Sequence, residues 1–143
     1  MKLLALEMRW LLAIADAILP SDAHERLPDG ASAAPMAEFF DDVLVRSPLR
    51  PMLGLRAAIW AITLSPPLVI RSSRFFGGLS PEERVRHLAT LGASEIYLLR
   101  ELPVLIKTLA LMGYGAMPDV QRAVGVEPAV SQPPVWARSE HAP

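Results

Sequence analysis

Apolar residues recur at intervals of three and four positions through most of this chain. That spacing is typical of α-helices with one buried face, and breaks rich in proline, glycine or small polar residues separate the helical segments. There is no alternating strand pattern and no internal repeat. The pattern predicts an all-α fold, with a single compact domain of five or six helices over residues 1–125 and an extended Pro-rich tail over 126–143. The predicted helices lie at about 3–19, 35–46, 48–64, 80–91, 93–112 and 118–124.

Two of these helices have an informative distribution of apolar and charged residues. The third predicted helix carries only Arg50 and Arg56 as charges, so we expect it to be buried on several sides, either by its own domain or by a partner. The first predicted helix has a conventional apolar face that comprises Leu3, Leu6, Trp10, Ile14, Ala17 and Ile18.

The clearest local signal is the sequence Ser80-Pro81-Glu82-Glu83. The Ser80 hydroxyl is expected to accept a hydrogen bond from the amide of Glu83, and the Glu83 carboxylate one from the amide of Ser80, which together make a capping box. Pro81 then occupies the first helical position, where a missing N–H costs nothing.

The apolar and breaking residues after this cap predict how the last two long helices lie and end. Val85, Leu88 and Ala89 are expected to face inward from the capped helix. Pro103 is expected to kink the next one, and the glycines that follow Met112 are expected to end it in a left-handed cap.

The composition favours a protein that binds another protein. Apolar residues make up 52% of the 143 residues, and the mean hydropathy is +0.31. A domain of this size has a high ratio of surface to volume, so part of this apolar content is expected to stay on the surface as a partner contact. The formal net charge is −1, without a basic stripe, so nucleic acid is not expected as a partner.

The chain has no cysteine, and no segment is predicted to span a membrane. The most apolar stretches are broken by Pro66 and Pro67, or by charges between residues 100 and 107. The first ten residues superficially resemble a signal peptide, but Glu7 and Arg9 interrupt the apolar run, and no twin-arginine pair precedes it. We therefore expect a cytoplasmic protein whose first segment is a helix.

No motif for catalysis, a cofactor or a metal is present in the sequence. His24, His87 and His141 lack the neighbouring ligands of a metal site. His87 follows Glu83 by four residues, so an exposed pair is expected. The glycines at 77 and 78 lack the lysine and the third glycine of a phosphate-binding loop. We assign no catalytic, cofactor-binding or metal-binding residue, and an isolated enzyme that uses His87 or Asp16 is the weakest of three hypotheses.

The candidate partner-binding residues are large aromatic side chains in the third predicted helix, in the turn at 75–76, near the end of the fifth predicted helix and in the tail. Aromatic residues, tryptophan above all, contribute most to the binding energy of protein interfaces. Trp136 lies in the Pro-rich tail, where it is either an anchor for a partner or incidental. The predicted interface consists of Trp60, Phe75, Phe76, Tyr114 and Trp136.

Three passages, in this order, resemble the gluconate 2-dehydrogenase subunit 3 family and the related helical N-terminal region of long-chain alcohol oxidases. The first is Ala15-Asp-Ala-Ile-Leu-Pro-Ser-Asp22, and the second is Phe76-Gly-Gly-Leu-Ser-Pro-Glu-Glu-Arg84. The third is Leu109-Ala-Leu-Met-Gly-Tyr-Gly115, followed by Pro118 and Val124-Gly125. Together the three passages span roughly residues 3–126.

The resemblance implies a non-catalytic small subunit that binds and stabilises a large FAD-dependent dehydrogenase subunit of the glucose–methanol–choline type. The partner would then hold the FAD and the catalytic residues, and act on an alcohol, sugar or steroid. The alternative hypothesis is a stand-alone helical carrier of an apolar small molecule, with a cavity among the second, third and fifth predicted helices.

Overall fold

The protein is all-α. The computed structural model describes residues 2–21, 25, 30–31 and 35–126, and no strand occurs among them. These residues form seven α-helices and one 3-10 turn at Phe76–Gly78. The helices are α1 (Ala5–Ile18), α2 (Met36–Arg46), α3 (Leu49–Leu64), α4 (Pro66–Val69), α5 (Pro81–Gly92), α6 (Tyr97–Gly115) and α7 (Pro118–Ala123). The predicted tail beyond Val126, with Trp136, lies outside the described residues.

Helix α6 is the central element, because it packs against α1, α2, α3, α5 and α7. Ile106, Ala110 and Gly113 are buried on its inner side. The ring of Phe39 on α2 lies so close to Gly113 that an added Cβ would be 2.4 Å from the ring. Small residues at 110 and 113 therefore allow α2 to approach α6. The largest fully buried apolar side chains are Leu11, Ile14, Met36, Phe40, Met52, Ile59, Ile62, Phe76, Leu91 and Ile106.

The chain after α1 is tied back to the end of that helix. The amide of Ala31 donates to the carbonyl of Leu19 at 2.9 Å, and the amide of Gly30 donates to the hydroxyl of Ser21 at 3.2 Å. A Cβ at Gly30 would lie 2.4 Å from the backbone nitrogen of Ser21. Only glycine therefore permits the backbone to pass so close to the end of α1.

The predicted capping box at the start of α5 is confirmed. The amide of Glu83 donates to the Ser80 hydroxyl at 3.2 Å, and the amide of Ser80 donates to the Glu83 carboxylate at 2.9 Å. Both interactions satisfy amides that have no partner inside the helix. They fix where α5 begins.

Two predicted helix ends differ from the observed ones, and one helix is additional. The fifth predicted helix begins at Tyr97 rather than Ala93, and it continues to Gly115 without a left-handed residue. The two prolines after Ser65 do end α3, but their fixed φ suits a first helical turn, so they start the short helix α4 that the sequence pattern did not predict.

Two predicted helix faces also differ. On α1 the buried residues are Glu7, Leu11, Ile14 and Ala15, whereas Leu6 is exposed, because the buried charge of Glu7 takes part of the inner face. On α5, Leu88 is buried as predicted.

The other two residues predicted to face inward on α5, Val85 and Ala89, are exposed. They line a surface groove, because none of the described elements covers that side of the helix.

Candidate protein-binding face

The outer side of α3 carries an apolar stripe, which the exposed Arg50 borders on one edge and the partly exposed Arg56 on the other. Leu49, Leu53, Trp60 and Leu64 remain 60%, 51%, 39% and 41% exposed, and Ala57 lies between them. Their spacing of four, four, three and four residues places all five on one side of the helix. The opposite side, with Met52, Leu55 and Ile59, is buried in the core. Apart from Arg50 and Arg56, helix α3 is thus apolar on both sides, and the described residues of its own domain cover only one of them.

Trp60, in this stripe, is held in a fixed orientation. Its indole N–H donates to Oε1 of Glu7 at 2.9 Å. The ring of Trp10 meets it edge to face, with centroids 4.8 Å apart and planes at 89°. Edge-to-face pairs of this kind contribute about 0.5–1.5 kcal/mol beyond the area that they bury. Trp60 therefore presents its exposed part with little rotamer freedom left to lose on binding.

The buried carboxylate of Glu7 connects α1 with α3. Nε and Nη2 of Arg56 lie 3.0 and 2.8 Å from Oε1, and the amide of Leu4 donates to Oε2 at 2.8 Å. Burial raises the pKa of Glu7, but the hydrogen bonds from Trp60, Leu4 and Arg56 together outweigh it, so that the pKa is below its usual 4.5. Glu7 is therefore an anion at neutral pH, with donors on both oxygens.

The predicted interface residues divide into three groups. Trp60 and Phe75 are exposed and available to a partner. Phe76 and Tyr114 are buried in this chain's own core, which corrects their assignment to the interface. Phe76 packs instead with its ring centroid 6.0 Å from that of His87 and 5.7 Å from the Arg84 guanidinium. The prediction for Trp136 concerns a residue outside the described part of the chain.

His87 is fully buried, so the predicted exposed pair with Glu83 is wrong. Its Nε2 lies 3.2 Å from the carbonyl of Ile62 and 3.1 Å from the hydroxyl of Ser65. Because a carbonyl only accepts, we assign the proton to Nε2, and Nδ1 is then a bare acceptor without a partner among the described residues. Burial lowers the pKa of His87, against a smaller opposite effect of the Ile62 carbonyl. The imidazole joins α5 to the end of α3 as a neutral group.

A second uncovered apolar face lies on α6. Glu101 and Thr108 separate its two rows, and the Thr108 hydroxyl is already bonded to the carbonyl of Val104 at 2.9 Å. Each row repeats every seven residues, which is nearly two helical turns. The rows are Tyr97, Val104 and Leu111, and Leu98, Leu105 and Met112, all of them exposed.

A groove of about 340 Å³ separates the end of α1 from α5 and α6. The carrier hypothesis predicted a cavity elsewhere, among α2, α3 and α6. The observed groove instead opens at the surface beside the uncovered side of α5. Its lining residues are Ala17, Ile18, Val85, Leu88, Ala89, Gly92, Pro103, Val104 and Lys107.

Neither metal-binding clusters nor membrane-spanning helices occur in the described ranges. No three His, Asp or Glu side chains of those residues come together as a metal site would require, and none of the described helices is both long and apolar enough to cross a bilayer. No protein family, curated protein or solved structure matches this chain.

Proposed function

We propose that this protein is a non-catalytic helical subunit that binds and stabilises a larger protein through the outer face of α3. The observation that carries the proposal is Trp60, which is fixed by a buried carboxylate within an apolar stripe that Arg50 and Arg56 border. The hydrogen bond satisfies the buried Glu7 carboxylate, and it also fixes the orientation of an exposed aromatic ring. A fixed ring suits a binding surface, because anchors that are already ordered lose less entropy on association.

The α3 stripe is too small to be the whole interface. Burying the exposed half of each of its four large side chains contributes about 1 kcal/mol apiece. Association costs about 4–15 kcal/mol in lost translational and rotational freedom. The partner must therefore cover additional surface, and the exposed Phe75 and the α6 face are available for it.

The proposed partner is a large FAD-dependent dehydrogenase subunit of the glucose–methanol–choline type, in a cytoplasmic complex. This part of the proposal rests on the resemblance of the three sequence passages described above. FAD and the catalytic residues would belong to the partner, and this chain would bind no cofactor. The buried position of His87 agrees with a structural role for this side chain rather than a catalytic one.

The test is an affinity pull-down of the tagged chain from its native cell extract, with mass spectrometry and a visible absorption spectrum of the eluate. A co-purifying polypeptide several times larger, with a flavin spectrum, is expected. Leu53→Glu places a charge in the α3 stripe and should abolish the capture. Val124→Glu, at a similarly exposed site at the end of α7, is the matched control. A lone colourless protein, or equal capture by both variants, would contradict the proposal.

The second candidate function is the stand-alone carrier of an apolar small molecule. The groove between α1, α5 and α6 favours it, because eight of its nine lining residues are apolar or glycine. A monomeric, well-folded protein that retains lipid through purification would support this candidate over the subunit.

A further inference from the structure

The groove has the chemistry of a site for an aliphatic chain. Branched side chains form its walls, and Ala17, Ala89 and Gly92 leave room between the helices. No aromatic residue is among the described residues that line it, so these offer no platform on which a planar ring would stack. Apart from Lys107, no side chain of these lining residues can form a hydrogen bond. The groove therefore suits a hydrocarbon chain with at most one polar end.

Among the described residues that line the groove, Lys107 alone is charged, and it determines the chemistry of that polar end. Lys107 belongs to α6, and its ammonium forms no ion pair with any residue that the structure describes. An adjoining hollow shares Ala17 and Val85 with the groove, and two carboxylates, Asp16 and Glu82, line it beside one guanidinium, Arg84. Because this hollow has a net negative charge, an anion in the groove is attracted more strongly to Lys107 than to the hollow.

We propose that this groove binds a fatty acid, with the aliphatic chain between α1, α5 and α6 and the carboxylate paired with Lys107. This site is independent of the α3 face, and it would be present whether the chain acts alone or as a subunit. Val85 and Ala89, which the sequence pattern assigns to the core, are then covered by the ligand instead of by protein.

The dimensions of the groove fix the length of the chain that it selects. A methylene group occupies about as much space as a water molecule in the liquid, so 340 Å³ holds roughly ten of them. Each methylene that is fully removed from water contributes about 0.8 kcal/mol, which is about a fourfold gain in affinity. The gain in an open groove is smaller, about twofold to threefold per methylene. The increase should stop near decanoate, where the groove is full.

The experiment is calorimetric titration of the purified full chain with hexanoate, octanoate, decanoate and dodecanoate below their micelle concentrations, and with 1-decanol. Lys107→Gln removes the cation, and Arg86→Gln, on the exposed side of α5, is its matched control. Gly92→Leu fills the groove, because a Cβ at this position meets open space. Gly115→Leu makes the same change at the end of α6, also in open space and outside the groove.

Saturable binding of one decanoate is expected, with affinity that rises from hexanoate to decanoate. Lys107→Gln should lower the affinity for decanoate about threefold to fivefold and leave the affinity for 1-decanol unchanged. Arg86→Gln should change neither affinity. Gly92→Leu should lower the affinity for both ligands more than tenfold, and Gly115→Leu should leave both affinities unchanged.

Two results would overturn the proposal. The first is the absence of saturable binding to the unmodified chain, and the second is undiminished binding to Gly92→Leu. If decanoate does not bind and Gly92→Leu also impairs capture of the partner, the groove is assigned to an apolar side chain of the partner instead. Because the titration uses the isolated chain, its failure leaves the proposed α3 interface untouched.

Discussion

Oε1 of Glu7 and the indole nitrogen of Trp60 are 2.9 Å apart, although 53 residues separate them in the chain. The carboxylate is fully buried, and it is also paired with Arg56 one turn earlier on α3. One acidic side chain of α1 thus holds two residues of α3, and it fixes both the packing of the helices and the orientation of the exposed tryptophan.

Removing this carboxylate should destabilise the fold strongly. Glu7→Ala is expected to lower the free energy of unfolding by about 3 kcal/mol, because it leaves Arg56 and the indole N–H without their buried acceptor. Glu7→Gln keeps an acceptor and should cost about 1–2 kcal/mol. Urea denaturation followed by circular dichroism measures both changes. The control is Asp42→Ala, which breaks an exposed ion pair with Arg46 and should lower the free energy of unfolding by less than about 1 kcal/mol. Equal stability of the three variants would show that the Glu7 cluster contributes nothing.

Acid should weaken the same contact. The pKa of Glu7 is lowered by folding, so its contribution to stability is fully present above the unfolded value of 4.5 and is lost as pH falls through the folded value. The difference in stability between the unmodified chain and Glu7→Gln should therefore shrink as the pH is lowered from 5 towards 3. Denaturation curves at half-unit pH intervals give this difference directly, and a gap that stays constant with pH would argue against ionised Glu7 in the folded state.

His87 should give a second pH dependence, at higher pH. Burial lowers its pKa, so below 6.5 the unfolded chain takes up a proton that the folded protein excludes. The contribution of neutral His87 to the free energy of unfolding should therefore be fully present above about pH 6.5. Below this pH the free energy of unfolding should decline by at most about 1.4 kcal/mol per pH unit. The slope of the unfolding free energy between pH 5 and 6.5 should be smaller in His87→Leu, whose overall stability will also be lower because the bond to Ile62 is lost. An unchanged slope would mean that His87 titrates normally.

Gly113 is needed for the contact between α2 and α6. Gly113→Ala should destabilise the protein by about 1–2 kcal/mol, because the gain in helix propensity does not offset the overlap with the Phe39 ring. Gly115→Ala, two residues later in the same helix, meets nothing and should be neutral or slightly stabilising. Thermal unfolding of the two variants provides the comparison, and Phe39→Leu should partly relieve the cost of Gly113→Ala. Identical melting of the two glycine variants would exclude a tight contact.

The capping box at the start of α5 should contribute a typical amount to stability. Ser80→Ala removes the acceptor for the Glu83 amide and is expected to cost about 1 kcal/mol. The exposed Ser73, before the 3-10 turn, provides the control substitution Ser73→Ala, which should be neutral. Chemical denaturation of both variants tests the effect, and a neutral Ser80→Ala would mean that water replaces the cap at no cost.

Local sequence signals determined the all-α class, the approximate positions of the main helices and the start of α5. These features depend on residues within a turn or two of each other, such as the spacing of apolar residues on α2 or the Ser80–Glu83 box. The sequence pattern also identified α3 as a helix too apolar for one buried side. It did not predict helix α4, because two consecutive prolines end one helix and also suit the first turn of another.

Tertiary structure decided everything that depends on contacts between distant residues. Glu7 interrupts an apolar run in the sequence, but in the fold Arg56 and Trp60 supply the donors that allow its burial. Phe76 and His87 are buried for the same kind of reason, since the 3-10 turn that contains Phe76 packs against α1 and α3, and His87 contacts both Phe76 and the end of α3. Val85 and Ala89 remain exposed because no other element in the described part of the chain crosses that side of α5. Helical spacing gives the direction in which a side chain points, and only the arrangement of the neighbouring helices decides whether protein or solvent meets it there.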